Sequence, residues 1–143
     1  MSFGFSAGDF LAAGKLIASV ISSLPSVGGS ASEYQELERE LHGLQRALSE
    51  IEHLRGTPDQ QISINAIKCA ALNCQFVLEE FAGKVTKYEK SLGSGELVGK
   101  LRGLERKVRW RLEMKDTVMK LRAYLIAHVG SINMRLMTQG LYA

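Results

Sequence analysis

Apolar residues recur in alternating steps of three and four along most of the 143-residue chain. The first strip runs Phe10, Ala13/Gly14, Ile17, Val20/Ile21 and Leu24, the spacing of one face of a helix. It predicts a helix over 7–24, opened by the capping-box pattern Ser6-Ala7-Gly8-Asp9 and stopped by Pro25 and Gly28-Gly29. A second strip, Tyr34, Leu37, Leu41, Leu44, Leu48, Ile51 and Leu54, follows another capping-box pattern at Ser32–Gln35 and predicts a helix over 33–55, closed by R-G-T-P-D. The third strip, Ile64, Ile67, Ala71, Cys74, Leu78, Phe81, Val85, Tyr88 and Leu92, keeps its phase throughout and predicts one long helix over 59–92. After Gly93-Ser94-Gly95 the pattern resumes at Leu97, Leu101, Leu104 and Val108. It then loses phase between Arg109 and Thr117 and returns as Val118, Leu121, Leu125, Val129, Ile132 and Leu136. That gap predicts two helices, 96–111 and 113–138, with a single kinked helix as the alternative. No stretch alternates with the period of a strand, so the expected fold is all-α: one domain over 1–143, an antiparallel bundle of four to five helices.

Charge changes this picture at two places. The opening segment to Ser30 carries only Asp9 and Lys15, so it serves either as one wall of the core or as a membrane device. It lacks the basic flank of a signal peptide, and Phe10–Leu24 falls short of the ~20 apolar residues a spanning helix needs. The second place is the run K-L-R-G-L-E-R-K-V-R-W-R from Lys100 to Arg111. Residues 1–80 hold 5 basic and 10 acidic side chains, whereas 81–122 hold 12 basic and 5 acidic. The overall charge of +3 thus hides a strongly lopsided distribution. The run is either a solvated helix face or a patch for anionic lipid, where each Lys or Arg is worth ~1 kcal/mol. Nucleic acid could use the same charges, but Trp110 is the one aromatic residue within the run and no reading motif accompanies it. No nucleic-acid partner is expected.

Catalytic chemistry is hard to assemble from these residues. His42, His53 and His128 stand singly, without metal-ligand spacing around them. Cys69 and Cys74, five apart on one helix, point away from each other, so no disulfide is expected between them and a reducing compartment fits. Cys74 falls on the apolar strip and Cys69 off it, with no neighbouring base. Gly93–Leu101 is not a phosphate loop, since Ser94 and Leu101 stand where glycine and a hydroxyl are required. The expectation is a protein that is not an enzyme, with no cofactor and no metal or catalytic site.

Three stretches carry a family resemblance: F-G-F-S-A-G-D-F-L-A-A-G-K-L at the start, Y-Q-E-L-E-R-E-L-H-G-L in the second helix, and V-R-W-R-L-E-M-K-D followed by K-L-R around Trp110. Together they resemble the helical N-terminal domains of fungal NLR-like (STAND) and ubiquitin-like-domain proteins, relatives of the HeLo and HELL cell-death domains. They are more distantly similar to the four-helix bundle of the mixed-lineage-kinase-like necroptosis pseudokinase and to plant coiled-coil resistance domains. The resemblance implies a cytoplasmic effector in regulated cell death, heterokaryon incompatibility and fungal innate immunity. Such a domain is excised from a longer protein whose C-terminal sensor, amyloid or ubiquitin-like module drives self-association, and it then relocates to anionic lipids of the plasma membrane. By position, Phe3, Phe5, Phe10, Leu11, Leu16, Ile17, Val20, Ile21 and Leu24 would be the inserting residues. Lys100, Arg102, Arg106, Lys107, Arg109 and Arg111 would be the lipid-attracting face. The same resemblance admits a non-lytic adaptor or oligomerisation domain. Lys15, inside the apolar helix, opposes deep insertion of a single helix unless its ammonium reaches water.

Overall fold

The computed structural model describes residues 7–28, 32–93 and 100–141, with side chains described over 8–25, 32–90, 108–109 and 111–141. Phe3 and Phe5 lie outside these residues, as do the side chains of Lys100, Arg102, Arg106, Lys107 and Trp110. Five α-helices follow in order: α1 Ala7–Gly28, α2 Ser32–Glu52, α3 Gln61–Leu72, α4 Cys74–Gly93 and α5 Lys100–Thr138. A 3₁₀ turn, Pro58–Gln60, precedes α3, and no strand occurs among the described residues.

Four packed helices make the core, α3 and α4 serving as successive halves of one column. The strips read from the sequence meet there: Phe10, Ala13, Ile17, Val20 and Leu24 from α1; Tyr34 through Ile51 from α2; Ile64 through Tyr88 from α3 and α4. Helix α1 packs on α2 and α4, and α5 packs on α2 and α4 from the opposite corner, so α1 and α5 are diagonal. Lys115 reaches Glu33 at 3.8 Å and Arg122 reaches Glu40 at 3.4 Å, an offset that sets α5 parallel to α2. His128 of α5 meets Ala71, while Lys120 and Leu121 lie beside Phe81 and Lys84, so α5 is antiparallel to the α3–α4 column. The bundle is thus two antiparallel pairs, α1–α2 and α4–α5, packed side by side.

The helix bounds differ from the sequence expectation chiefly in three places, besides α2 closing at Glu52 instead of 55. Helix α1 runs on through Pro25 to Gly28 instead of stopping at 24. A proline this near a helix end deletes one backbone bond, and the helix closes within the following turn. The expected helix 59–92 is broken at Asn73, whose N–H turns back to the carbonyl of Ala70 at 3.3 Å. The apolar strip keeps its phase across that break, because Ala71 and Cys74 both stay buried. The expected pair 96–111 and 113–138 is one helix of 39 residues. No glycine or proline lies between Arg109 and Thr117, and residues such as Arg, Leu, Glu, Met and Lys sustain the helix. What changes there is the face: Val108 and Leu112 point outward, and Met114 takes over the buried line that continues through Val118, Leu121, Leu125, Ile132 and Leu136.

Helix α5 ends on a Schellman motif. Leu141 N–H reaches the Leu136 carbonyl at 2.8 Å and Gly140 N–H reaches that of Met137 at 3.0 Å, with Gly140 at φ 67°. Leu136 and Leu141 are both buried beneath it. Replacing Gly140 by alanine forces a Cβ into the left-handed region and should cost about 1–2 kcal/mol. Gly83→Ala, where an added Cβ meets open space on an exposed helix face, should instead stabilise by about 1 kcal/mol. Urea titrations of the two variants against the parent check both signs.

Candidate functional site

Helix α1 is the candidate effector element, and its side chains divide cleanly. Phe10, Ala13, Ile17, Val20 and Leu24 are buried, Leu16 and Ile21 pack partly against the same core, and Leu11 is 60% exposed. The outer face carries little else that is large: Ala12, Lys15, Ala18, Ser19 and Ser22 are exposed. Burying a large aliphatic or aromatic side chain is worth about 1.5–3 kcal/mol. On that scale, exposing Phe10, Ile17, Val20 and Leu24 to water would cost about 6–12 kcal/mol before the released chain regains entropy.

The seat of α1 is not filled evenly. An open groove of about 370 Å³ runs between α1 and α2, where Gly14 and Ala18 present no bulk toward Gln45, Ser49 and Glu52. A Cβ added at Gly14 would meet nothing within 4 Å. Small residues thus let α1 lie against α2 without interlocking with it on that side. No described helix is long and apolar enough to cross a membrane.

The basic residues fall into two groups. Lys115, Lys120 and Arg122 all have acidic partners: Glu33 at 3.8 Å, Asp116 at 3.0 Å and Glu40 at 3.4 Å respectively. Arg109 and Arg111 are exposed on the first half of α5, whose backbone also carries Lys100, Arg102, Arg106 and Lys107. Glu40 accepts from Arg122 through Oε1, while its buried Oε2 has no hydrogen-bond partner. The charge that could attract an anion is therefore concentrated before Glu113, whereas Lys115 and Arg122 beyond it are tied to α2.

Groups with reactive potential are scattered or muted. Cys74 is buried and its thiol is pushed up to about 11 by burial, while Cys69 is exposed; the two are not bonded to each other. No cluster of three potential metal ligands is gathered among the described residues. His128 serves the fold: its Nε2 lies 3.1 Å from the Ala71 carbonyl, beside the break between α3 and α4, and its ring stacks on Tyr124 at 5.5 Å. In the tautomer protonated at Nε2, it donates to that carbonyl and offsets part of the backbone bonding lost at the break. The sequence pattern had no signal for this, since the pairing spans 57 residues. Nor did it signal the outward line of large apolar residues on α5, because the inward strip accounted for the periodicity.

Comparison with protein families, with curated proteins and with solved structures finds no match for this chain.

Burial lowers the affinity of His128 for a proton below its ordinary value, and the bond to Ala71 only partly opposes this. The unfolded chain therefore protonates first as pH falls. Stability should be flat above the ordinary histidine range of ~6.5 and decline as pH drops through it. Melting curves at stepped pH should show this loss in the parent and a smaller one in His128→Gln. Superimposable pH profiles would remove His128 as the cause.

Proposed function

We propose that this chain is a HeLo/HELL-like signalling domain that acts at anionic membranes when copies gather, by transferring the apolar strip of α1 from the bundle to lipid. The observation that carries this reading is the distribution of side chains on α1. One terminal helix holds a continuous line of large apolar groups, packs against two neighbours and has an unfilled groove along one of them. The cost of exposing that line to water is comparable with the whole stability of a typical domain, about 5–15 kcal/mol, so release requires an apolar acceptor. Lipid or other copies of α1 supply one. The exposed Arg109 and Arg111, with the basic residues before them, would hold the domain at an anionic surface while that exchange occurs. Because no described helix is long and apolar enough to cross a bilayer, the strip would lie in the interface or assemble from several copies.

The complete burial of Ile17, Val20 and Leu24 favours a second reading. In it α1 never leaves, and the domain is a non-lytic adaptor that assembles through its outer surfaces.

Vesicle experiments separate the two. Arg109→Glu with Arg111→Glu should lower binding to phosphatidylserine-containing vesicles about 30-fold or more, since each lost cation is worth ~1 kcal/mol. Binding to neutral phosphatidylcholine vesicles should be weak with or without the change. Leu11→Asp touches only the exposed edge of α1 and should leave thermal stability within ~0.5 kcal/mol while abolishing dye leakage. Leakage unchanged by Leu11→Asp, or no binding to anionic vesicles at any protein concentration, would reject the membrane reading.

A further inference from the structure

Helix α5 has a second apolar face. Val108, Leu112, Met119, Ile126, Met134 and Met137 are each between 54 and 71% exposed. Their steps of 4, 7, 7, 8 and 3 keep them on one side of the helix, away from the buried line Met114, Val118, Leu121, Leu125, Ile132 and Leu136. Between the large residues, Ala123 and Gly130 are exposed on the same side, and a Cβ added at Gly130 would meet nothing within 4 Å. The result is a ridge with holes: large side chains at 112, 119 and 126, and small ones at 123 and 130.

We infer that this face pairs with the same face of a second copy of the chain, α5 against α5, antiparallel about a two-fold axis between Tyr124 and Leu125. In that register Ile126 enters the hole at Ala123 of the second copy, Met119 the hole at Gly130, and Leu112 lies along Met137. A parallel pairing would set Met119 on Met119 and Gly130 on Gly130, leaving clashes and gaps. The large-into-small match holds on both sides of the axis, as a self-complementary interface requires.

Charge and size agree with this occupant. Along the middle of the face the bordering cations are paired within each copy, Lys115 with Glu33, Lys120 with Asp116 and Arg122 with Glu40, whereas Arg109 and Arg111 at its first turn are exposed. Arg122, the cation nearest the axis, therefore does not oppose its counterpart with a bare charge. A lipid surface would favour free cations beside the apolar line, and from Lys115 to Arg122 they are paired. From Leu112 to Met137 the face is about 38 Å long and about 10 Å wide, or about 400 Å² per copy. Two such faces total about 800 Å², short of the ~1,200 Å² of stable interfaces, so the dimer is weak and reversible. This pairing does not depend on α1 leaving the core.

Sedimentation equilibrium of the intact chain over roughly 1–500 μM should show the mass rising from 15.7 kDa toward twice that value. Met119→Lys with Ile126→Lys should weaken the dimer at least tenfold without changing the circular dichroism. Gly130→Leu is the sharper test, because it adds apolar surface yet fills the hole that receives Met119. It should raise the melting temperature and also weaken the dimer at least tenfold. In a Cys69→Ser background, a short bismaleimide should join Ala123→Cys copies efficiently and Asp116→Cys copies poorly, since the latter stand about 25 Å apart along the axis. A monomer across the whole range would overturn the inference. So would stronger association of Gly130→Leu, equal cross-linking at both positions, or stripe variants that lose vesicle binding while the parent remains monomeric.

Discussion

The burial of one strip, Phe10–Ala13–Ile17–Val20–Leu24, between α2 and α4 closes the bundle, and the other features of the domain are arranged around that closure. Without α1, the inward faces of α2 and of the α3–α4 column would lose their shared cover, since α5 stands at the far diagonal. The strip is therefore not a spare segment waiting beside a finished fold. It is one of the four walls of the core. The side-chain bonds within α1 that reach its own backbone, Ser22 to Ala18 and Ser23 to Val20, do not tie it to a neighbour.

Helix α5 is the complementary element. It supplies the corner opposite α1 and adds polar contacts to its apolar area: Arg122 on Glu40, Lys115 on Glu33, His128 on the Ala71 carbonyl and Gln60 on the Gln139 carbonyl. These contacts join α5 to α2, to α3 and to the turn before α3. Moving α5 into a new apolar phase would leave these polar groups unpaired. That cost counts against α5 as the movable element.

Much of the core was legible in the spacing of apolar residues. The strips on α1, α2 and the α3–α4 column are buried along their described side chains, because a helix with one apolar stripe has one way to bury it. The break at Asn73 was not legible, since the strip passes through it in phase and only the Ala70 turn and the distant His128 mark it. On α5 the lost phase near Trp110 was visible, but a change of face and an end of helix leave the same trace. The exposed line from Val108 to Met137 was hidden for a related reason: an apolar residue out of phase reads as noise until the buried phase is known. The candidate site followed the same rule. Leu11 and Ile17 stood together in the sequence as members of one apolar segment, yet one faces water and the other is fully enclosed.

The proposed mechanism thus reduces to whether α1 opens as a unit of its own. Native-state hydrogen exchange of the lipid-free chain across low urea concentrations measures this directly. The account predicts that amides of Phe10–Leu24 exchange through an opening of lower free energy and weaker urea dependence than those of Leu37–Leu48 in α2 and Leu78–Tyr88 in α4. If all three sets exchange with one free energy and one urea dependence, α1 belongs to a single cooperative core and does not move independently.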